Sequence, residues 1–210
     1  MLKKVIFTAA MLFAGIVFAN PISLAADGDR IFKVKQFGAS GDGKTFDTQA
    51  IQSAIDAANQ AGGGAVILPL GSFLSGSLQM KSHVELRIEA GATLLGRGSR
   101  SDHQRNYRWY ALLLADGQED VAISGSGTID GQGRQLAQDV IRRVKSGEFN
   151  DPMAHSRPNA NQRPQLINFR KCRKVRVSGV TLRDSSCWVQ DYIRCDDLVI
   201  ENIHVVSTAY

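Results

Sequence analysis

Two segments near the end of this 210-residue chain superimpose with a single offset. Val175-Arg176-Val177-Ser178-Gly179-Val180-Thr181-Leu182 aligns with Leu198-Val199-Ile200-Glu201-Asn202-Ile203-His204-Val205, every apolar position moving by 23 residues. Each copy is a three-residue alternating strand, a two-residue break and a second short alternating strand. The breaks end in Gly179 and Asn202, residue types that tolerate a left-handed backbone, so the chain bends there. Val121-Ala122-Ile123-Ser124-Gly125, with Ile129 after one extra residue, is an earlier version, and Val84, Leu86 and Ile88 alternate in the same way. Short strands at a fixed period with no helix between them describe a solenoid. Two-residue bends suit a parallel β-helix with one turn per repeat, each strand pairing with its copy about 4.8 Å away. A sandwich of hairpins would need turns that reverse the chain, and the constant offset would then be a coincidence. The expected fold class is all-β, a parallel β-helix with coils of about 23 residues.

Cys172 and Cys195 share the 23-residue spacing and should stack on neighbouring coils. They form either a free pair or, in an oxidising compartment, a disulfide. Cys187 is left over either way, and no Cys/His spacing fits a zinc site, so no metal or cofactor is expected. Ahead of the coils, residues 27–64 read as a strand and a capping helix. Asp47 or Thr45 can cap the helix, Ile51, Ala54, Ile55 and Ala58 form its apolar face, and Gly62-Gly63-Gly64 ends it. Laid across the first coil, it would cover open core and unpaired strand groups.

Residues 1–25 read as a secretory signal peptide: Lys3 and Lys4, an apolar run from Val5 to Ala19, then Ser23-Leu24-Ala25 as a cleavage pattern. The run is short for a membrane span, so a secreted or periplasmic protein is expected, with no stable membrane span. Removing those two lysines takes the formal charge from +5 to +3. The excess sits in residues 131–176, which hold eleven Lys/Arg against Asp139, Glu148 and Asp151. Such a segment is either a solvated face or a surface for a polyanion. Nucleic acid is not expected, because no aromatics are interleaved there to stack bases.

Gly38-Ala39-Ser40-Gly41-Asp42-Gly43-Lys44-Thr45 is a literal nucleotide-loop pattern. Its context is wrong: the preceding residues 31–37 are broken by charge rather than continuously apolar, and no alternating βα units follow. Leu112-Leu113-Leu114-Ala115-Asp116-Gly117 is more simply a buried strand and an Asp-Gly turn. No nucleotide is expected.

Residues 34–96, 121–133 (Val-Ala-Ile-Ser-Gly-Ser-Gly-Thr-Ile-Asp-Gly-Gln-Gly) and 163–207 (Arg163-Pro164 through Trp188) resemble glycoside hydrolase family 28, the polygalacturonases of the pectin lyase-like superfamily. The resemblance implies a right-handed β-helix whose whole protein hydrolyses α-linked galacturonans, with inversion, using carboxylates on opposite sides of the bond. It also implies an anionic pectic polysaccharide as partner and a monomeric parent. The family's Asn-Thr-Asp-Gly, Asp-Asp, Gly-His-Gly and Arg-x-Lys motifs do not occur in this sequence, and the first of them belongs just after Tyr210. The expectation is therefore an N-terminal portion, truncated within the β-helix domain of residues 26–210 and inactive alone, with no catalytic residue assigned. Asp196-Asp197 starts a strand where Arg173-Lys174 stands one coil earlier, so it reads as a turn at the coil edge. Residues 131–163 interrupt the repeat; Leu136, Val140, Ile141 and Val144 allow a short helix there, followed by a loop. Arg142 and Arg143 on this insertion are the candidate contacts to substrate carboxylates. The alternatives are a β-helix pectate lyase, which would need calcium and clustered acids, and a non-catalytic carbohydrate-binding β-helix.

Overall fold

The computed structural model describes residues 30–151, 159 and 162–208; the segment 1–25 expected to be a signal peptide and Arg157 lie outside them. Three sheets run the length of the solenoid. Sheet A stacks Ile31–Lys33, Gly64–Leu68, Val84–Ile88, Glu119–Gly125, Arg173–Ser178 and Asp196–Glu201. Sheet B stacks Asp42–Phe46, Gly71–Ser75, Ala92–Gly96, Thr128–Asp130, Thr181–Arg183 and His204–Val206. Sheet C stacks Leu78–Gln79, Trp109–Asp116, Gln165–Arg170 and Gln190–Ile193. Every ladder between coils is parallel, as a right-handed parallel β-helix requires.

The alternating pattern decides what fills the centre. In sheet A, Val66 pairs with Leu86, Leu86 with Ile123, and Ile123 with Val177. In sheet B the stack is Phe73, Leu94, Ile129 and Leu182, and in sheet C it is Leu78, Leu113 and Ile167. All of these side chains are fully buried. Each contributes about 1.5–3 kcal/mol by leaving water, and each rests on its own kind one coil away.

The 23-residue offset is realised between the last two coils, where Val175 pairs with Leu198 and Leu182 with Val205. Elsewhere the step varies. In sheet A, Ala65 to Glu85 is 20 residues, Glu85 to Ala122 is 37 and Ala122 to Arg176 is 54. The longer steps hold the same three strands plus chain that leaves the helix between them. The extra residue before Ile129 is also real: Val121 pairs with Val175 but Ile129 with Leu182, offsets of 54 and 53. Corners stack as well. Gly125, Gly179 and Asn202 all have positive φ, as do His83, Asp120, Lys174 and Asp197 at the opposite end of the sheet A strands. A Cβ on Gly179 would sit 2.3 Å from the Gly125 carbonyl oxygen, so this corner admits only glycine. Asp196-Asp197 forms such a corner, with Asp196 paired to Arg173.

Helix α1, Thr48–Gln60, buries Ile51, Ala54, Ile55 and Ala58 against the first coils, and Gly62 turns the chain out at φ 87°. Asp47 sits at the N-cap position but does not cap. Its buried carboxylate turns back and accepts from the amides of Ser40 at 2.7 Å and Gly41 at 2.9 Å, both partly buried. Lys44 and Thr45 lie in the strand Asp42–Phe46 rather than at a helix start. Their amides and the Thr45 hydroxyl all donate to the Asp42 carboxylate, holding that group well below the usual carboxylate range. Donors a phosphate would need are thus already satisfied. Cys172, Cys187 and Cys195 are free thiols, and burial pushes the Cys172 thiol up to about 11.

Leu94→Ala removes the middle of the sheet B stack and should cost about 2–5 kcal/mol, read from the urea midpoint at unchanged slope. A loss below about 1 kcal/mol would show that the stack can collapse around the gap.

Candidate functional site

Between sheet B and sheet C the chain leaves the solenoid as a hairpin. Gln104–Asn106 runs antiparallel to Trp109–Asp116, with Asn106 opposite Trp109 and Arg105 opposite Tyr110. Tyr107 and Arg108 make the two-residue turn, Tyr107 at φ 58°, a left-handed conformation costly for a large side chain. The base is fixed from below: the Gln104 amide donates to the Ser77 hydroxyl, which itself donates to the Ala111 carbonyl. His103 is buried beside it, contacts the Ser99 carbonyl through Nδ1, and is pushed down to about 4 by that burial, so it stays neutral at pH 7.

Arginines and rings interleave along this hairpin. Arg105 lies 4.6 Å from the ring centre of Tyr110, its cross-strand neighbour, and Arg100 lies 4.0 Å from the same ring. Arg108 stands 4.9 Å over Trp109, and Arg170 lies 4.8 Å from Tyr107 while pairing with Asp116 at 3.1 Å. Trp188 comes from a loop two coils further on and tilts against Trp109, with ring centres 5.0 Å apart. That loop is pinned: Ser185 donates to the Trp188 carbonyl, Ser186 to Pro164, and buried Arg163 to the Ser186 carbonyl. Trp188 is still 52% exposed and Tyr107 72%. Among the described residues, neither Arg105 nor Arg108 has a carboxylate partner. In the adjoining part of sheet C, Asn168 donates to Gln165 and to Asp191 one coil on.

The insertion expected over 131–163 contains helix α2, Gly133–Lys145, with Leu136, Ala137 and Val140 buried and Ile141 and Val144 only partly so. Its two candidate arginines part company. Arg143 is largely buried; its guanidinium binds Asp139, Glu148 and the hydroxyls of Ser99 and Ser101. Asp139 also accepts from the Arg100 amide at 2.9 Å, so Arg143 and Asp139 bracket α2 to the foot of the hairpin. Arg142 shares Asp139 but stays 62% exposed. Burial pushes the Asp139 carboxyl up, but hydrogen bonds from the Arg100 amide, Arg142 and Arg143 outweigh it and hold the group below its ordinary value. Three more cations of the basic segment are engaged elsewhere: Arg170 pairs with Asp116, while Arg173 and Lys174 pair with Glu119. Arg134, Lys145, Lys171 and Arg176 have no ion-pair partner among the described residues, so unpaired cations remain within 131–176. Arg105 and Arg108, in Arg105-Asn106-Tyr107-Arg108-Trp109-Tyr110, differ in standing against aromatic rings. The basic–aromatic alternation of that run was the available signal.

A capped parallel solenoid of three sheets, with decorated loops beside one of them, defines the pectin lyase-like class of β-helix. Residues 31–99 match the family model described as rhamnogalacturonase A/epimerase, pectate lyase-like. The chain is similar to an exo-poly-alpha-D-galacturonosidase of Dickeya chrysanthemi, 35% identical over 53% of this chain and 21% of that protein. It is similar to plasmin and fibronectin-binding protein A of Streptococcus pneumoniae, 40% identical over 75% of this chain and 21% of that protein. Its fold matches the family 28 exopolygalacturonase of Yersinia enterocolitica with a TM-score of 0.74 at 26% identity, over 86% of this chain and 39% of that one. By these likenesses the chain resembles the polygalacturonase-like, family 28 members of the pectin lyase-like superfamily. It spans about a fifth to two fifths of the length of the curated relatives it matches first.

Arg143→Ala should cost about 2–3 kcal/mol at neutral pH, because it leaves Asp139 charged in a mostly enclosed place. Arg142→Ala should stay within about 0.5 kcal/mol. The stabilisation held by a lowered carboxyl is complete above its unfolded value of about 4 and disappears as the pH falls through the folded value. The Arg143→Ala deficit should therefore shrink in acid, as urea titrations at several pH values would reveal.

Proposed function

We propose that this chain forms part of a secreted or periplasmic glycosidase that cuts α-linked galacturonosyl bonds of pectic polysaccharides. One observation carries the reading: a polygalacturonase-like helix presents exposed arginines without acid partners beside exposed aromatic rings, a surface matched to an anionic sugar polymer. Hydrolysis with inversion needs an acid and a carboxylate-activated water on opposite sides of the bond, with the two carboxyl groups about 6.5–9.5 Å apart. Asp116, Glu119, Asp130 and Asp139 are each held by an arginine of the scaffold. The role assigned to the described residues is therefore to bind and orient the polymer, with Arg142 extending the cationic surface along α2. The whole protein is taken to act as a monomer, without a cofactor.

The full-length gene product should release reducing ends from polygalacturonate without forming an ultraviolet-absorbing unsaturated product. Calcium-dependent appearance of that product would replace hydrolase by lyase. The similarity to a plasmin- and fibronectin-binding protein favours a second reading, a β-helix that binds without cutting. Tight pectate binding with no release of ends would decide for it.

A further inference from the structure

We propose that Trp188, Trp109 and the hairpin arginine Arg108 form a subsite for one acidic sugar unit of a uronan chain. The proposal rests on the reading above that the polymer is a uronan, and it assigns the recognition to particular side chains.

Four observations converge on it. First, the rings are exposed although nothing in their sequence forces this. Large exposed aromatics cost hydrophobic free energy and mark binding surfaces when they cluster, and exposed Trp188 packs on half-buried Trp109 beside the turn that holds exposed Tyr107. Second, Trp188 is held ready. Its loop is fastened by Ser185, Ser186 and Arg163, three residues almost wholly buried, and its ring is braced by Trp109. A ring already fixed loses little freedom when a ligand settles on it. Third, the charge beside the rings is uncompensated. Arg108 is exposed, stands 4.9 Å over the Trp109 ring and has no carboxylate partner among the described residues. Such a guanidinium is stabilised by an anion, and its fork matches a carboxylate in two parallel hydrogen bonds. Fourth, the turn that presents Arg108 carries a non-glycine residue at positive φ, local strain of the kind that clusters at ligand clamps.

The combination selects a sugar acid. A pyranose ring has one face made of C–H groups, which packs on an aromatic ring, and a rim of polar groups; a uronate adds one carboxylate at that rim. Stacking from Trp188 and charge from Arg108 then act on the same residue of the chain. A single-stranded nucleic acid also offers flat faces and negative charge, so it is the competitor that the test must exclude.

The test measures binding of trigalacturonate, a neutral galactose trimer and a single-stranded oligonucleotide to the full-length protein. Trp188→Ala should weaken trigalacturonate binding about tenfold or more, with Trp188→Phe retaining most of it. The variant Arg108→Gln should weaken trigalacturonate about tenfold and reduce the salt dependence, leaving any binding of the neutral trimer unchanged. Both lie on exposed side chains, and circular dichroism checks that the fold is intact. Unchanged trigalacturonate affinity in both variants overturns the subsite, even if polygalacturonate is cleaved normally. Loss of binding in the variants of a protein that never cleaves polygalacturonate keeps the subsite and removes the hydrolase reading. Equal or tighter binding of the oligonucleotide, lost in the same variants, overturns the choice of a uronan.

Discussion

In-register stacking of each strand on its own kind is the constraint from which the rest of the molecule follows. Strand side chains alternate with a period of two, so a slip of one residue would turn an entire apolar set outward. Val66, Leu86, Ile123 and Val177 remain in one column, as do Phe73, Leu94, Ile129 and Leu182. Corners must then stack too, because strands can only coincide if the chain turns at the same height in every coil. The columns of positive φ at Gly125, Gly179 and Asn202, and at Asp120, Lys174 and Asp197, are that requirement written in backbone angles.

A scaffold fixed in this way delegates recognition to what leaves it. The 104–116 hairpin and the α2 insertion depart on the long steps between coils, and the buried Asp139–Arg143 bracket fastens them to each other. The arginines accordingly divide by environment. Arg143 is enclosed, and its hydrogen-bonding capacity is spent on holding two insertions in place, whereas Arg105 and Arg108 stand on a tip whose foot is held by Ser77 and His103.

The architecture was legible because it is written locally. The 23-residue offset at 175–205, the apolar face of α1 and the helix within 131–163 all appear as described. The varying coil length was not visible, since only the last pair of coils carries its repeat without an insertion. Asp47 looked like a cap by position, but two partly buried amides six and seven residues upstream compete for its carboxylate. The site itself was hidden for the same reason as Arg143's role. Trp109 meets Trp188 across 79 residues, and Arg143 meets Ser99 across 44; neither encounter has a signature in either local sequence. Net charge over a window pointed to 131–176, but ion pairs formed in three dimensions had already consumed much of it.

The unequal steps between coils have a cost that can be placed on a scale. Closing a flexible loop loses entropy only with the logarithm of its length, so a step of 54 residues instead of 23 adds about 0.8 kcal/mol. That is less than the contribution of one buried leucine in the central stack. Excursions from the solenoid are therefore thermodynamically inexpensive compared with the ladders they interrupt. A hairpin or helix of quite different length can replace the present one while the columns inside stay in register, which makes the loops the variable text and the coils the fixed page.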